Sequence, residues 1–305
     1  MSGFATSPVQ VRVPATSANL GPGFDTFGLA LTRYDEVTAQ VTGGGLDVRV
    51  EGEGSGELEL GERHLVVRAM RAAFERLGAH PPGLALRCRN TIPHGRGLGS
   101  SAAAVVAGIL AARALATGKD SGEAFGDEAV LDLASGFEGH PDNVAACLAG
   151  GLTLAWTSDG VPRFVRLEPA HDVVPVVCVP PERLATEEAR RLLPATVPHG
   201  DAAANAARAA LLVTALTGRP DLLFEATEDR LHQKYRAPAM PHVLATLQRL
   251  RTAGVPAVVS GAGPTILVLS DQSGVDLVGK EVGNGWHVHR LDVDRDGARV
   301  YSVSS

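Results

Sequence analysis

Three glycine-bearing stretches and one polar hexapeptide hold most of the residues able to do chemistry. The strongest is IPHGRGLGSSAAA, Ile92 to Ala104. Gly95, Gly97 and Gly99 allow a backbone to approach a ligand closely. Ser100 and Ser101 stand where a helix is expected to begin. A helix start carries unbonded N–H groups and the positive end of the dipole, which suits a phosphate. A serine hydroxyl there can also ligate Mg2+. The stretch is not a Walker A loop, which needs a Gly-Lys-Ser/Thr ending; Gly118-Lys119 is followed by Asp120. Nor is it a dinucleotide fingerprint, because position 100 is neither Gly nor Ala and the loop follows Pro93 rather than a strand. Taken alone, a glycine-rich turn with serine N-caps reads the same way.

The second stretch, VPATSANLGPGFD (Val13–Asp25), holds Thr16, Ser17, Asn19 and Asp25. Asn19 both donates and accepts, and Asp25 only accepts. The third, VVSGAGPTIL (Val258–Leu267), alone would pass for a hairpin turn. The hexapeptide EGHPDN (Glu138–Asn143) crowds two carboxylates, an imidazole and an amide together. That mixture suits a hard metal or a hydroxyl more than zinc, since no second His or Cys stands at ligand spacing.

The elements that must position these stretches follow from periodicity. Val9–Val13 alternates and predicts a strand, with a loop over 14–24. Val37–Val41 and Leu46–Val50 flank Gly43-Gly44-Gly45 and predict a hairpin. Leu65–Leu77 predicts a helix ending at Gly78, and Leu84–Cys88 a short strand. The alanine-rich run Ser101–Ala116 predicts a buried helix with Gly118 near its end, and Ala124–Ser135 a second helix. Leu152–Trp156 and Val173–Val179 predict strands. Helical patterns cover 186–193, 201–217 and 241–253, and Val255–Leu269 reads as strand, turn, strand. Strands and helices mix without strict alternation, so the expected class is α+β. The prolines that begin at Pro162 place a domain boundary near 160–170, giving domains 1–165 and 166–305.

Composition narrows the function class. The chain has 305 residues, is 45% hydrophobic and 20% charged, and has a net charge of -6. An acidic balance and 4% aromatics argue against a nucleic-acid partner. The uncharged run Ala102–Ala112 is short of the roughly 20 residues of a membrane span. Residues 1–8 show no basic and apolar leader pattern. Cys88, Cys147 and Cys178 are scattered with no CxxC pair, so a reduced, cytoplasmic setting is expected.

In order and spacing, these segments resemble the GHMP superfamily of small-molecule kinases, and within it the homoserine kinase family. Pro14–Leu31 is similar to the first family motif, Ile92–Ala103 to the phosphate loop and Ser260–Thr265 to the third motif. Glu138–Leu152 is similar to the homoserine kinase form of the central segment. The resemblance runs from about residue 9 to 270 and implies a two-domain α+β fold. The N-terminal domain would be like ribosomal protein S5 domain 2, the C-terminal domain ferredoxin-like, with the site between them. It implies Mg2+-dependent transfer from ATP to the hydroxyl of L-homoserine, in threonine biosynthesis, by a homodimer. A kinase for another alcohol, such as mevalonate, shikimate or a sugar, and a non-catalytic ligand sensor are the alternatives.

The resemblance also carries roles onto residues. Pro93, His94, Gly95, Arg96, Gly97, Leu98, Gly99, Ser100, Ser101 and Ala102 would wrap the phosphates, replacing the P-loop lysine in a chain with only three lysines. His64 stands where family members carry an adenine-side Asn. Ser101 and Glu138 would hold Mg2+, with Ser100 and Asp132 as alternatives. Asn19, Asp25, His140, Asp142, Thr186, Arg190, Arg236 and Gly263 would contact the amino acid, and Arg191 would be a surface residue. Asp142, Asn143 and Arg190 are the catalytic candidates, with Asp142 binding substrate and no strong base required.

Overall fold

The computed structural model describes residues 3–117, 125–270 and 275–302. In chain order the strands and helices begin with β1 (Gly3–Phe4), β2 (Val9–Ala18), β3 (Phe27–Thr42) and β4 (Gly45–Gly52). Next come α1 (Leu65–Arg76), β5 (Gly83–Asn90), α2 (Ser100–Leu115), β6 (Ala116–Thr117), α3 (Asp127–Glu138) and α4 (Asp142–Ala149). A hairpin of β7 (Leu152–Ser158) and β8 (Val161–Leu167) precedes β9 (Val174–Val179), α5 (Thr186–Arg191), α6 (His199–Gly218), α7 (Leu223–Ala226) and α8 (Pro241–Thr252). The chain closes with β10 (Ala257–Val259), β11 (Ile266–Ser270), α9 (Val275–Val282), β12 (His287–Arg290) and β13 (Arg299–Ser302). The expected helix stop at Gly118 and the expected helix start at Ala124 lie outside the described residues.

A seven-stranded sheet runs β13-β2-β3-β5-β4, with β7 on the far part of β3 and β8 beyond it. The expected hairpin between 37–41 and 46–50 does not form. Both segments are strands, but β5 lies between them, antiparallel to β3 and parallel to β4. The cause is α1: a strand, helix, strand unit brings its two strands side by side in parallel. The Gly43–Gly45 connection crosses the start of β5 at Gly83, where a Cβ would overlap Gly44 and the Thr42 hydroxyl. The expected loop over 14–24 is also shorter. The β2–β3 ladder slips at Pro14, which has no N–H to give, and then resumes as far as Ala18.

The second sheet has the order β10-β11-β9-β12, all antiparallel. With its helices it makes a βαββαβ unit, the ferredoxin-like arrangement. The β9 strand is buried along its whole length, and its two faces serve two cores. Val177 and Val179 join the larger core with α2, α6 and the first sheet, while Val176 and Cys178 join a smaller one with α8. The larger core is therefore continuous from one sheet to the other. The end of the chain also crosses back: Val293 bridges Leu31, and β13 pairs with β2. Among the described residues no helix is long and apolar enough to cross a membrane.

Candidate active site

A cleft of about 810 Å³ lies where the first sheet, the start of α2 and the second half of the chain meet. The glycine-rich loop forms its floor. Gly95, Gly97 and Gly99 all adopt left-handed φ (64°, 73° and 68°), so alternate residues turn their N–H groups to one side. Every carbonyl on the other side is tied down. Gly95 O accepts from Leu184 N–H (3.0 Å), Arg96 O from Thr265 N–H (3.2 Å) and Leu98 O from Thr16 N–H (3.1 Å). Gly97 O lies 2.6 Å from Ser260 Oγ, which also lies 2.8 Å from Ser17 Oγ. One hydroxyl has one proton, so Ser260 donates to Gly97 and accepts from Ser17. None of the N–H groups of residues 95–101 donates to another group among the described residues. They converge at the start of α2, which makes a receptor for an anion.

The loop is anchored at both ends. Before it, Asp35 on β3 accepts the N–H groups of Thr91 (2.6 Å) and Ile92 (2.9 Å). Burial pushes the Asp35 carboxyl up to about 6, the two N–H bonds opposing. After it, Gly99 rests on Thr16, whose hydroxyl donates to Asn143 Oδ1 (2.8 Å). Arg96 reaches away to donate to Pro180 O, and burial lowers its pKa. Pro93 and His94 line the cleft at the loop's entry.

At one end of the cleft the walls are apolar: Leu65, Val66, Ala104, Ala107 and Phe137. His64 caps this wall at the start of α1. Burial lowers the pKa of its imidazole, with His94 adding to the effect, and its Nδ1 is buried without a partner. At the middle, Ser101 Oγ lies 2.5 Å from Glu138 Oε1. Burial raises the Glu138 pKa, the Ser101 bond opposing it. Asp132, the alternative ligand, instead pairs with Arg76 on the outer surface (2.9 Å) and does not line the cleft.

The other end is charged. Arg190 makes a fork on Asp25, with Nη1–Oδ2 at 3.1 Å and Nη2–Oδ1 at 2.7 Å. Asp142 is buried, and its Oδ1 accepts from the Asn143 N–H and lies 2.7 Å from His140 Nδ1. Burial opposes charge on His140, but the bond to Asp142 and its charge outweigh that and raise the pKa. Asp142 Oδ2 has no partner among the described residues. Arg236 is buried, with Nη1 shared between His232 Nδ1 (3.0 Å) and Gly261 O (3.0 Å). Asn19 ties the Val13–Asp25 stretch to the third glycine turn: its Nδ2 donates to Gly261 O (2.8 Å) and its Oδ1 accepts the Asp25 N–H (2.9 Å). Asn19, Leu20 and Asp25 all have positive φ (70°, 47° and 53°), a conformation such side chains adopt only when neighbours hold them.

Most of the expected residues therefore meet in one place. Thr186 stands exposed on the cleft rim, and Ser100 lines the floor. Arg191 is exposed on the outside of α5, as expected, beside Glu187. Ala102 is buried inside α2, and Gly263, within the third loop, packs toward Met240, where a Cβ would press on its Sδ (2.6 Å); neither lines the cleft. Gly261 and Ala262 line it instead. Phe24, His232 and Asn205, onto which the resemblance carries no role, hold the charged end from behind. Asn205 donates to Pro22 O (2.8 Å) and His232 Nε2 lies 2.8 Å from Gly21 O. The signal for His232 was its spacing of four from Arg236, which puts both on one side of a helical turn.

Comparison with known proteins agrees with this architecture. Residues 64–151 match the GHMP kinases N terminal domain and residues 203–288 the GHMP kinases C terminal domain. The chain is 57% identical to the homoserine kinase of Streptomyces avermitilis over 99% of its own length and 98% of that protein. It is likewise 57% identical to the homoserine kinase of Streptomyces coelicolor, covering 99% and 97%. The crystal structure of homoserine kinase from Cytophaga hutchinsonii superposes with a TM-score of 0.83 at 26% identity, covering 97% of this chain and 98% of that one. The chain belongs to the GHMP kinase family.

Proposed function

We propose that the cleft binds ATP and L-homoserine and transfers the γ-phosphoryl group to the side-chain hydroxyl. A bond forms between the hydroxyl oxygen and γ-phosphorus, the bond to the β-bridging oxygen breaks, and the hydroxyl proton is released. The products are O-phospho-L-homoserine and ADP, a step of threonine biosynthesis. The observation that carries this reading is one cleft with two complementary ends. The floor offers unpaired N–H groups to phosphates. The charged end offers the Arg236 guanidinium, buried with its Nε unpartnered, for a carboxylate, and a carboxylate oxygen of Asp142 with no partner among the described residues for an ammonium or hydroxyl.

The apolar wall beside His64 would receive the adenine. Ser101 and Glu138 supply hard oxygen ligands, and phosphate oxygens and water complete the shell that Mg2+ prefers. The ion, when bound, neutralises charge on the β- and γ-phosphates. Asp142 orients the acceptor amino acid, with His140 and the start of α4 holding its carboxylate in place. A loose transition state lets the proton leave late, so no strong base is needed. Arg190 lies close enough to sense the charge of Asp142 and can stabilise the transferring group. A loss beyond about a thousandfold in kcat for Asp142→Asn, with KM unchanged, would instead assign it a base role. The three cysteines are buried and unpaired, in keeping with a cytoplasmic enzyme, and the expected state is a homodimer.

The test is an ADP-release assay with Mg-ATP and L-homoserine, L-threonine, L-serine, mevalonate, shikimate and galactose. Turnover on L-homoserine above the others supports the reading. Preference for another alcohol removes the argument from the charged end, and ATP binding without turnover on any of them points to a sensor.

A further inference from the structure

Arg236 is the largest wholly buried side chain among the described residues, and it sits in the charged end of the cleft. Its donors are used unequally. Nη1 gives to His232 and Gly261, whereas Nε is buried with no partner. Nη2 makes no hydrogen bond among the described residues either. The Nε and Nη2 protons form one edge of the guanidinium, the edge that grips a carboxylate with two parallel bonds. The bonds that hold Nη1 fix the plane of the guanidinium, and with it the direction of that edge.

His232 has the chemistry for this task. Its ring is buried, with Nε2 lying 2.8 Å from Gly21 O and Nδ1 3.0 Å from Arg236 Nη1. A carbonyl can only accept, so Nε2 carries the proton. A guanidinium can only donate, so Nδ1 is a lone pair. The two neighbours together define one tautomer of an uncharged ring. Burial lowers the His232 pKa, the Arg236 charge adds to this, and Asp229 and Asp25 pull the other way. The Phe24 ring completes the device. His232 packs on it at 5.2 Å, and the guanidiniums of Arg236 and Arg190 lie 5.6 Å and 5.7 Å from its centroid.

We propose that His232 is the positioning residue of the carboxylate subsite: anchored on Gly21, it accepts one Nη1 proton of Arg236 and so presents the Nε/Nη2 edge to the substrate. The proposal rests on the homoserine kinase reading above and adds to it a residue that touches no substrate. The same contact couples the Val13–Asp25 stretch, through Gly21, to the arginine from the second half of the chain. A substrate without a carboxylate gains nothing from the arrangement, so His232 is also a specificity determinant.

Two nearly isosteric variants separate positioning from packing. In His232→Asn the amide oxygen takes the place of Nδ1 and keeps the acceptor for Arg236. In His232→Gln the amide nitrogen takes the place of Nε2 and keeps the bond to Gly21, but Arg236 Nη1 loses its side-chain acceptor and is left with Gly261 O alone. Steady-state assays would use L-homoserine and its carboxamide, with thermal melts to show that each variant folds. We expect His232→Gln to raise the homoserine KM about tenfold or more, the size of one hydrogen bond to a charged group, and to shrink the preference over the carboxamide. His232→Asn should stay within about threefold, and the ATP KM should hold within about twofold in both. Equal losses in the two variants, or losses in ATP KM, would overturn the proposal and leave His232 as packing. Failure of the unmodified enzyme to use L-homoserine at all would instead overturn the functional reading, and the subsite with it.

Discussion

Alanine at Gly99 should cripple nucleotide use, and truncation of Thr16 to alanine should restore much of it. The residue has φ 68°, where a side chain costs about 1–2 kcal/mol. A Cβ would also overlap the Thr16 hydroxyl and lie 3.2 Å from both Thr16 Cβ and Asn143 Oδ1. Displacing that hydroxyl breaks its bond to Asn143, worth about 1 kcal/mol, and overpacking adds about 1–3 kcal/mol. Together these give about 3–6 kcal/mol, or roughly two to four orders of magnitude if expressed in loop geometry. Gly95→Ala is the control. It has the same backbone sign, φ 64°, but its Cβ would meet only the Arg183 side chain at 3.5 Å. It should cost only about 5–30-fold. In Thr16→Ala/Gly99→Ala the overlapping oxygen is gone, so kcat/KM for ATP should return to within reach of the Gly95→Ala value. The assay is ADP release against ATP concentration at saturating L-homoserine. Equal losses for Gly95→Ala and Gly99→Ala, or no rescue by Thr16→Ala, would refute the contact-based reasoning.

Three further outcomes follow from the same site. Asp25→Asn removes the fork on Arg190. The homoserine KM should rise about tenfold, the low end for a charged pair because both partners are about one-third exposed, 35% and 36%, while the ATP KM stays unchanged. Glu138→Gln should shift the Mg2+ dependence of turnover to roughly tenfold higher concentration, with the homoserine KM constant; an unaltered Mg2+ titration would remove Glu138 from the ligand set. Asp35 should show in stability. Its carboxyl is raised by burial to about 6, so the folded state binds the proton more tightly than the unfolded chain, and stability falls as pH rises from about 4 to about 6. The size is about 3 kcal/mol, and Asp35→Asn, which still accepts both N–H groups, should flatten that part of a denaturation-versus-pH curve.

The sequence alone determined the phosphate loop, the polar cluster after α3 and the third glycine turn, because their chemistry is local. Alternate glycines that turn N–H groups to one side, and serines at a helix start, act over a few residues and are visible as spacing. The buried helix over α2 and the fully apolar β9 were legible for the same reason: a segment covered on all sides has no polar face to write. What tertiary structure alone decided is who stands beside whom. Gly43–Gly45 looks like a hairpin turn, yet α1 sends β5 in between, and only the assembled sheet selects that register. The return of β13 to β2 left no mark in a short, exposed strand. The fork of Arg190 on Asp25, 165 residues away in sequence, is likewise a pairing that only the fold makes. The partners of Phe24, Thr16 and His232 cannot be read from their own segments. Their roles come from contacts across the cleft, where the backbone conformation of one loop is held by side chains of another, and such pairings are properties of packing rather than of any one segment.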